Sequence, residues 1–210
     1  MTPEPEETRP IRLLLADDQA LVRGALSALL SLERDLDVVA EVSSGDQVVA
    51  AVREHRPDVA LLDVEMPGMD GIEATAAVRA AFPDVRVLIV TTFGRPGFVR
   101  RAMQAGASGF VVKDTPAAQL ADAVRRVHAG LRVVDPALAT ESLFAGESPL
   151  TARETDVLRA ARGGAAVSAL ARALFLSEGT VRNHLSAAIG KTGAGNRAEA
   201  VTIAEGNGWL

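Results

Sequence analysis

Five residues carry side chains suited to phosphoryl chemistry, and each ends an apolar run. Asp17 and Asp18 follow IRLLLA (11–16), Asp63 ends DVALLD (58–63), Thr91 ends RVLIVT (86–91) and Lys113 ends GFVVK (109–113). In an open parallel sheet, ligands bind outside the carboxyl ends of the strands, where the strand order reverses. If the first and third runs are neighbouring strands, three carboxylates meet on one rim. Like charges packed together are unfavourable without a cation among them. Hard oxygen ligands, with water filling the remaining positions, suit Mg2+. A carboxylate beside that ion can accept a phosphoryl group as an aspartyl-phosphate, and the metal neutralises charge on the group in transit. The Thr91 hydroxyl can donate to a phosphoryl oxygen, and the Lys113 ammonium can pair with it. Any one acid at a strand end also reads as a solvated, loop-facing group. The consistency of the strand ends is what favours the chemistry.

These residues need elements to position them. The four runs, with DVVAEV (37–42), read as strands. Most are continuously apolar rather than alternating, as in strands buried on both faces. Helical patterns near 19–31, 45–55, 70–81, 96–105 and 116–129 separate them. The alternation predicts an α/β unit over 11–130, a doubly wound five-stranded parallel sheet. Residues 131–147 mix turn formers with short apolar pieces and read as a linker. From Leu150 onward only helical patterns remain: TARETDVLRAAR, SALARALF, EGTVRNHLSAAIGK and NRAEAVTIAEG. A small all-α domain over 148–210 is expected. Residues 1–10, acidic and proline-rich, read as a disordered tail.

Bulk composition narrows the function classes. The 210 residues are 48% hydrophobic and 23% charged, ordinary for a globular protein. With no cysteine there is no disulfide and no thiolate ligand or nucleophile. No apolar run approaches the roughly 18 residues of a membrane span, and the N-terminus lacks the pattern of a secretion signal. A cytoplasmic location is the expectation. The net charge of −5 is uneven, because residues 146–210 carry seven basic and six acidic side chains. Any affinity of that part for DNA must come from charge placement.

SALARALFLSEGTVRNHLSAAIGK has helix-turn-helix spacing. Ala171 is small where the two helices approach, and Val181 is placed to pack against the first. Ser177 can cap the second helix, with Glu178 at its positive end. The outer face is polar. Arg182 and Asn183 suit base edges in the major groove, and Thr180 and Lys191 suit phosphates. Ser177, Thr180, Arg182, Asn183, Ser186 and Lys191 are the candidate DNA contacts. A plain packing module would also present a polar outer face.

LADD (15–18), LLDVEMPGMDG (61–71), VTT (90–92) and GASGFVVKD (106–114) resemble the receiver domain of bacterial response regulators, a flavodoxin-like fold. The resemblance spans about residues 11–130. It implies a sensor histidine kinase as phosphodonor and Asp63 as phosphoacceptor. It implies Asp18 as a direct Mg2+ ligand, Asp17 often through water, and the Glu65 backbone carbonyl completing the protein ligands. Thr91 and Lys113 become the phosphate-sensing pair, and Phe110 falls at the switch aromatic, although a plain core aromatic reads the same way. Such a receiver is a switch rather than an enzyme. Its moving face would comprise Thr91, the loop TFGRPG, the helix from Phe98, Phe110 and the last receiver helix. Asp114 stands where many receivers have proline.

SPLTARETDVLRAARGG and LFLSEGTVRNHLSAAIGKTGAGNRAEAV (148–204 with their connection) resemble the LuxR-type helix-turn-helix of NarL/FixJ response regulators. Glu154 matches an acidic position that helps hold the helices together. Ala169 and Leu170 replace the usual glutamate and isoleucine, and AARGGAAVSAL is richer in Ala and Gly than usual. Thr192 replaces a leucine, which loses packing and buries a hydroxyl, about 1–3 kcal/mol.

The joint resemblance implies a phosphorylation-controlled transcription regulator. Phosphorylation would favour a homodimer on double-stranded promoter DNA, an inverted repeat, through either the first and last receiver helices or the fourth and fifth. Release of a masked recognition helix is the other route. Trp209, in the last segment, is either an exposed dimer contact or a cap on the core. Two rivals remain: a C-terminal module that binds protein, and a Mg2+-dependent acyl-phosphate phosphatase, which would want aspartate where Glu65 stands.

Overall fold

The computed structural model describes residues 9–92, 94, 96–135, 138–139 and 148–210. Most of the tail (1–8), two residues of the loop TFGRPG (93 and 95) and most of the linker (136–137 and 140–147) lie outside the described residues. The chain divides into two compact units.

The first unit alternates strand and helix: β1 Ile11–Ala16, α1 Ala20–Leu30, β2 Leu36–Val42, α2 Gly45–His55, β3 Val59–Leu62, α3 Gly71–Ala81, β4 Arg86–Thr91, α4 Pro96–Gln104, β5 Gly109–Val112 and α5 Ala117–His128. With a sixth strand, β6 Val133–Val134, the strands pair in parallel in the order β2-β1-β3-β4-β5-β6. The central strands are continuously apolar because both faces are covered. On one face Leu13, Leu15, Val59, Leu61, Leu88 and Val90 pack with Leu120, Val124 and Val127 of α5 and Leu30 of α1. Side chains alternate across a strand, so the intervening Leu14, Ala60, Leu62, Val87 and Ile89, all fully buried, point to the other face.

One strand was not expected. β6, Val133–Val134, pairs with Gly109 and Phe110 of β5 and makes the sheet six-stranded rather than five-stranded. It lies inside the stretch read as linker. Two residues carry no periodic signal; the parallel pairing on β5 and the packing of Val133 on the core define it.

The second unit holds α6 Ala152–Ala161, α7 Val167–Ala173, α8 Glu178–Thr192 and α9 Arg197–Gly206. Leu150, Val157, Leu158, Leu170, Val181, Leu185, Ala188, Val201 and Leu210 form its core. Capping explains the helix starts: Thr151 and Glu154 make a reciprocal capping box on α6, and Ser177 and Asn196 cap α8 and α9. Trp209 packs half-buried against this core, which is the cap alternative.

Candidate metal centre and helix-turn-helix face

β1 and β3 are direct neighbours, in register Ala16↔Leu62, and the Asp63 amide donates to the Ala16 carbonyl at 2.9 Å. The acids that follow therefore share one rim. Ligand oxygens of Asp17, Asp18 and Asp63 all lie within 4.8 Å of one another. Asp17 and Asp63 are only 2% and 3% exposed, while Asp18 faces solvent. Asp17 Oδ1 accepts from the Gln19 amide at 2.9 Å, which helps hold the carboxylate at the strand end.

The segment after Asp63 folds tightly. Gly68 has φ +75°, a conformation that favours glycine. At Gly71 a Cβ would meet the Asp63 carbonyl oxygen at 1.9 Å, so only glycine lets α3 start beneath the acid. Asp70 and Glu73 make a reciprocal capping box that fixes that start. Glu65 lies exposed in this loop.

Lys113, just past β5, brings its Nζ within 2.7 Å of both Asp17 Oδ2 and Asp63 Oδ2. Its contact with Asp63 is a directed hydrogen bond. Burial alone would lower the lysine pKa, but the two carboxylates outweigh it and hold it above its ordinary value. Burial pushes the Asp63 carboxyl up; Lys113 opposes the rise without cancelling it, and the Asp17 charge adds to it. Among the described residues, Asp63 Oδ1 is buried with no hydrogen-bond partner, and Asp17 Oδ2 receives no directed hydrogen bond despite its contact with the ammonium. Buried carboxylate oxygens with spare lone pairs are a donor set that fits a hard divalent cation. Thr91 ends β4, 2% exposed, and its carbonyl accepts from the Lys113 amide at 2.8 Å. Phe110 is fully buried, paired in register with Ile89 and Val134.

In the second unit, α7 and α8 form the helix-turn-helix. Val181, Leu185 and Ala188 face the core, and Ser177, Arg182, Asn183 and Ser186 are exposed. Thr180 is half-buried, its hydroxyl 2.8 Å from that of Ser177. Arg182 pairs with Glu178 at 2.6 Å on the surface. Lys191 is exposed, and its Nζ donates to both Glu154 oxygens, at 3.0 and 2.7 Å, tying α8 to α6. Sequence reasoning placed Glu154 as a holding residue but did not find this partner. The pairing has no signal in the sequence, because the two residues stand 37 positions apart and meet only through the packing of α8 on α6. Thr192 is half-buried, and its hydroxyl donates to the carbonyls of Ala188 and Ile189 at 2.9 and 3.1 Å. The hydroxyl is therefore satisfied within its own helix.

Comparison with known proteins agrees with this division. Residues 13–125 match the response regulator receiver domain, and residues 148–204 match the bacterial regulatory proteins of the luxR family. The transcriptional regulatory proteins YvfU and DesR of Bacillus subtilis strain 168 are 42% and 39% identical over 200 residues, which is 95% of this chain and 100% and 99% of theirs. A crystal structure of the response regulator ChrA, of a heme-sensing two-component system, is 36% identical with a TM-score of 0.58, covering 94% of this chain and 98% of that one. No helix among the described residues is long and apolar enough to cross a membrane. Sequence, sheet order and relatives thus converge, and the chain belongs to the NarL-type response regulators, transcriptional regulators of two-component systems with a receiver domain and a LuxR-type DNA-binding domain.

Proposed function

We propose that Asp63 is the phosphoacceptor through which a sensor histidine kinase controls this regulator, and that the phosphorylated chain pairs into a homodimer on promoter DNA. The reading rests on the convergence of the Asp17, Asp18 and Asp63 oxygens within 4.8 Å, with the Lys113 ammonium 2.7 Å from two of these carboxylates. In the transfer, an Asp63 oxygen attacks the phosphorus of the donor phosphohistidine. A P–O bond forms as the P–N bond breaks, and the imidazole leaves with the electron pair and takes up a proton. Asp17, Asp18, Asp63 and the Glu65 carbonyl are the groups to hold Mg2+, which when bound supplies charge neutralisation at the transferring phosphoryl.

Lys113 then pairs with the new phosphoryl oxygens, and the Thr91 hydroxyl donates to one of them. Phosphorylation adds roughly −1.5 to −2 charge, and the bistable element it biases is the β4–β5 edge. Thr91 is one residue past the Ile89–Val90 stretch against which Phe110 and Val111 pair, so its movement reaches the buried aromatic.

The second unit has nearly balanced charge, so one copy binds DNA weakly. Two copies on an inverted repeat gain by effective concentration. Arg182 and Asn183 are the base-reading side chains, with Thr180 and Lys191 on the phosphates and Ser177 and Ser186 on the same DNA-facing surface. The test is incubation with acetyl phosphate and Mg2+, read by intact mass and size exclusion. Wild type gains one phosphoryl group and elutes as a dimer; Asp63→Ala does neither. An Asp63→Ala protein that still takes up phosphate would remove Asp63 from the mechanism.

A further inference from the structure

Phe175 sits in the turn between α7 and α8 with φ +55° and a side chain 96% exposed. Its place in that turn is specific. The Leu176 amide donates to the Ala171 carbonyl at 2.9 Å and the Phe175 amide to that of Arg172 at 3.4 Å. This is the hydrogen-bond pattern of a Schellman cap closing α7, with Phe175 at the left-handed position where glycine is the usual residue. A bulky residue there is a backbone outlier, and outliers of this kind concentrate where a side chain is needed for function. The ring gives the isolated fold nothing in return, because it is almost wholly in water.

We infer that the Phe175 ring is a DNA contact, packing against deoxyribose on the sugar–phosphate wall of the groove that α8 enters. The inference deepens the DNA-binding reading above and rests on it. Phe175 stands two residues ahead of Ser177, the N-cap of α8. The N-terminal residues of a recognition helix are those that meet DNA. An exposed side chain just before that end reaches the wall of the same groove. Its surroundings suit a polyanion: Arg172 and Arg182 are exposed, the Ser177 hydroxyl caps the helix, and the one acid of the first turn, Glu178, is paired with Arg182. A sugar contact carries no sequence information and no charge. It adds affinity uniformly and leaves the salt dependence alone.

The test uses the full chain and two labelled duplexes: one selected from a random pool by the wild type, and a scrambled version of it. Phe175→Gly fits the positive φ, so its melting temperature equals or exceeds that of the wild type. Its affinity for both duplexes falls by about tenfold, the two alike, with the slope of log Kd against log salt unchanged. Phe175→Tyr restores binding to near the wild-type value. Arg182→Ala, in contrast, loses discrimination between the duplexes. Wild-type affinity in Phe175→Gly, a loss confined to the selected duplex, or a marked drop in its melting temperature each overturns the inference and leaves the DNA-binding reading standing. A wild type that binds neither duplex at low salt overturns both.

Discussion

Lys113 carries the electrostatics of the acid cluster. Its side chain is 9% exposed, and its Nζ touches two carboxylates that are almost fully buried. Replacing it with methionine leaves those charges uncompensated, so Lys113→Met should destabilise the first unit by about 3 kcal/mol. Differential scanning calorimetry without divalent ions checks this. Because the lysine pKa is raised, its stabilising contribution is complete below the ordinary lysine range and lost as pH rises through the folded value. The Asp63 pKa is also raised, so its contribution is favourable in acid and turns into a cost as pH rises through that value. At neutral pH, Asp63→Asn should therefore raise the melting temperature in chelator. Saturating Mg2+ should stabilise the wild type by a binding linkage, and stabilise Asp63→Asn much less. Sequence alone pointed to all of these residues, because each ends an apolar run. It did not show that Lys113 already bridges two of the acids, since strand order, not spacing, brings those ends together.

At the scale of elements, α6 and α8 are joined by one ion pair. Glu154 is buried, but Lys191 is more than one-third exposed, so solvent screens the pair. Glu154 also accepts from the Thr151 amide at 2.7 Å. Glu154→Gln weakens both roles and should cost about 1 kcal/mol. Burial alone would raise the Glu154 pKa, but Lys191 and the Thr151 contacts outweigh it and hold the value low. The stabilisation is thus present above the ordinary glutamate range and lost as pH falls through the folded value. Thermal melts from neutral to acid pH should show the second unit weakening in the wild type and a flatter profile in Glu154→Gln. Periodicity marked every long helix and the central strands, because their burial patterns are strong. It missed β6, whose two valines are defined by a partner strand, and it ran the first helix of the helix-turn-helix on through Phe175. That helix stops at Ala173 because the chain turns left-handed at Phe175, a conformation its side chain gave no reason to expect.

At the scale of the molecule, the receiver switch and the DNA reader are joined in one chain, and phosphorylation should change DNA occupancy through dimerisation. Footprinting a promoter with wild type and Asp63→Ala, each treated with acetyl phosphate, checks this. Protection should extend over two half-sites for the wild type and weaken markedly for the variant. Equal occupancy would separate phosphorylation from DNA binding. The two-part architecture was legible from the change of period near residue 131, and the sheet order supplied what one-dimensional pattern lacks: which strand ends meet. That order also sets a timetable. Asp17 and Asp63 follow β1 and β3, which are neighbours in the sheet although β2 and two helices lie between them along the chain. A nascent chain still short of β3 has no pocket of acids to load. During refolding, Mg2+ uptake should lag behind the far-ultraviolet helix signal and return with the centre of the sheet, making ion binding a stopwatch for long-range strand closure.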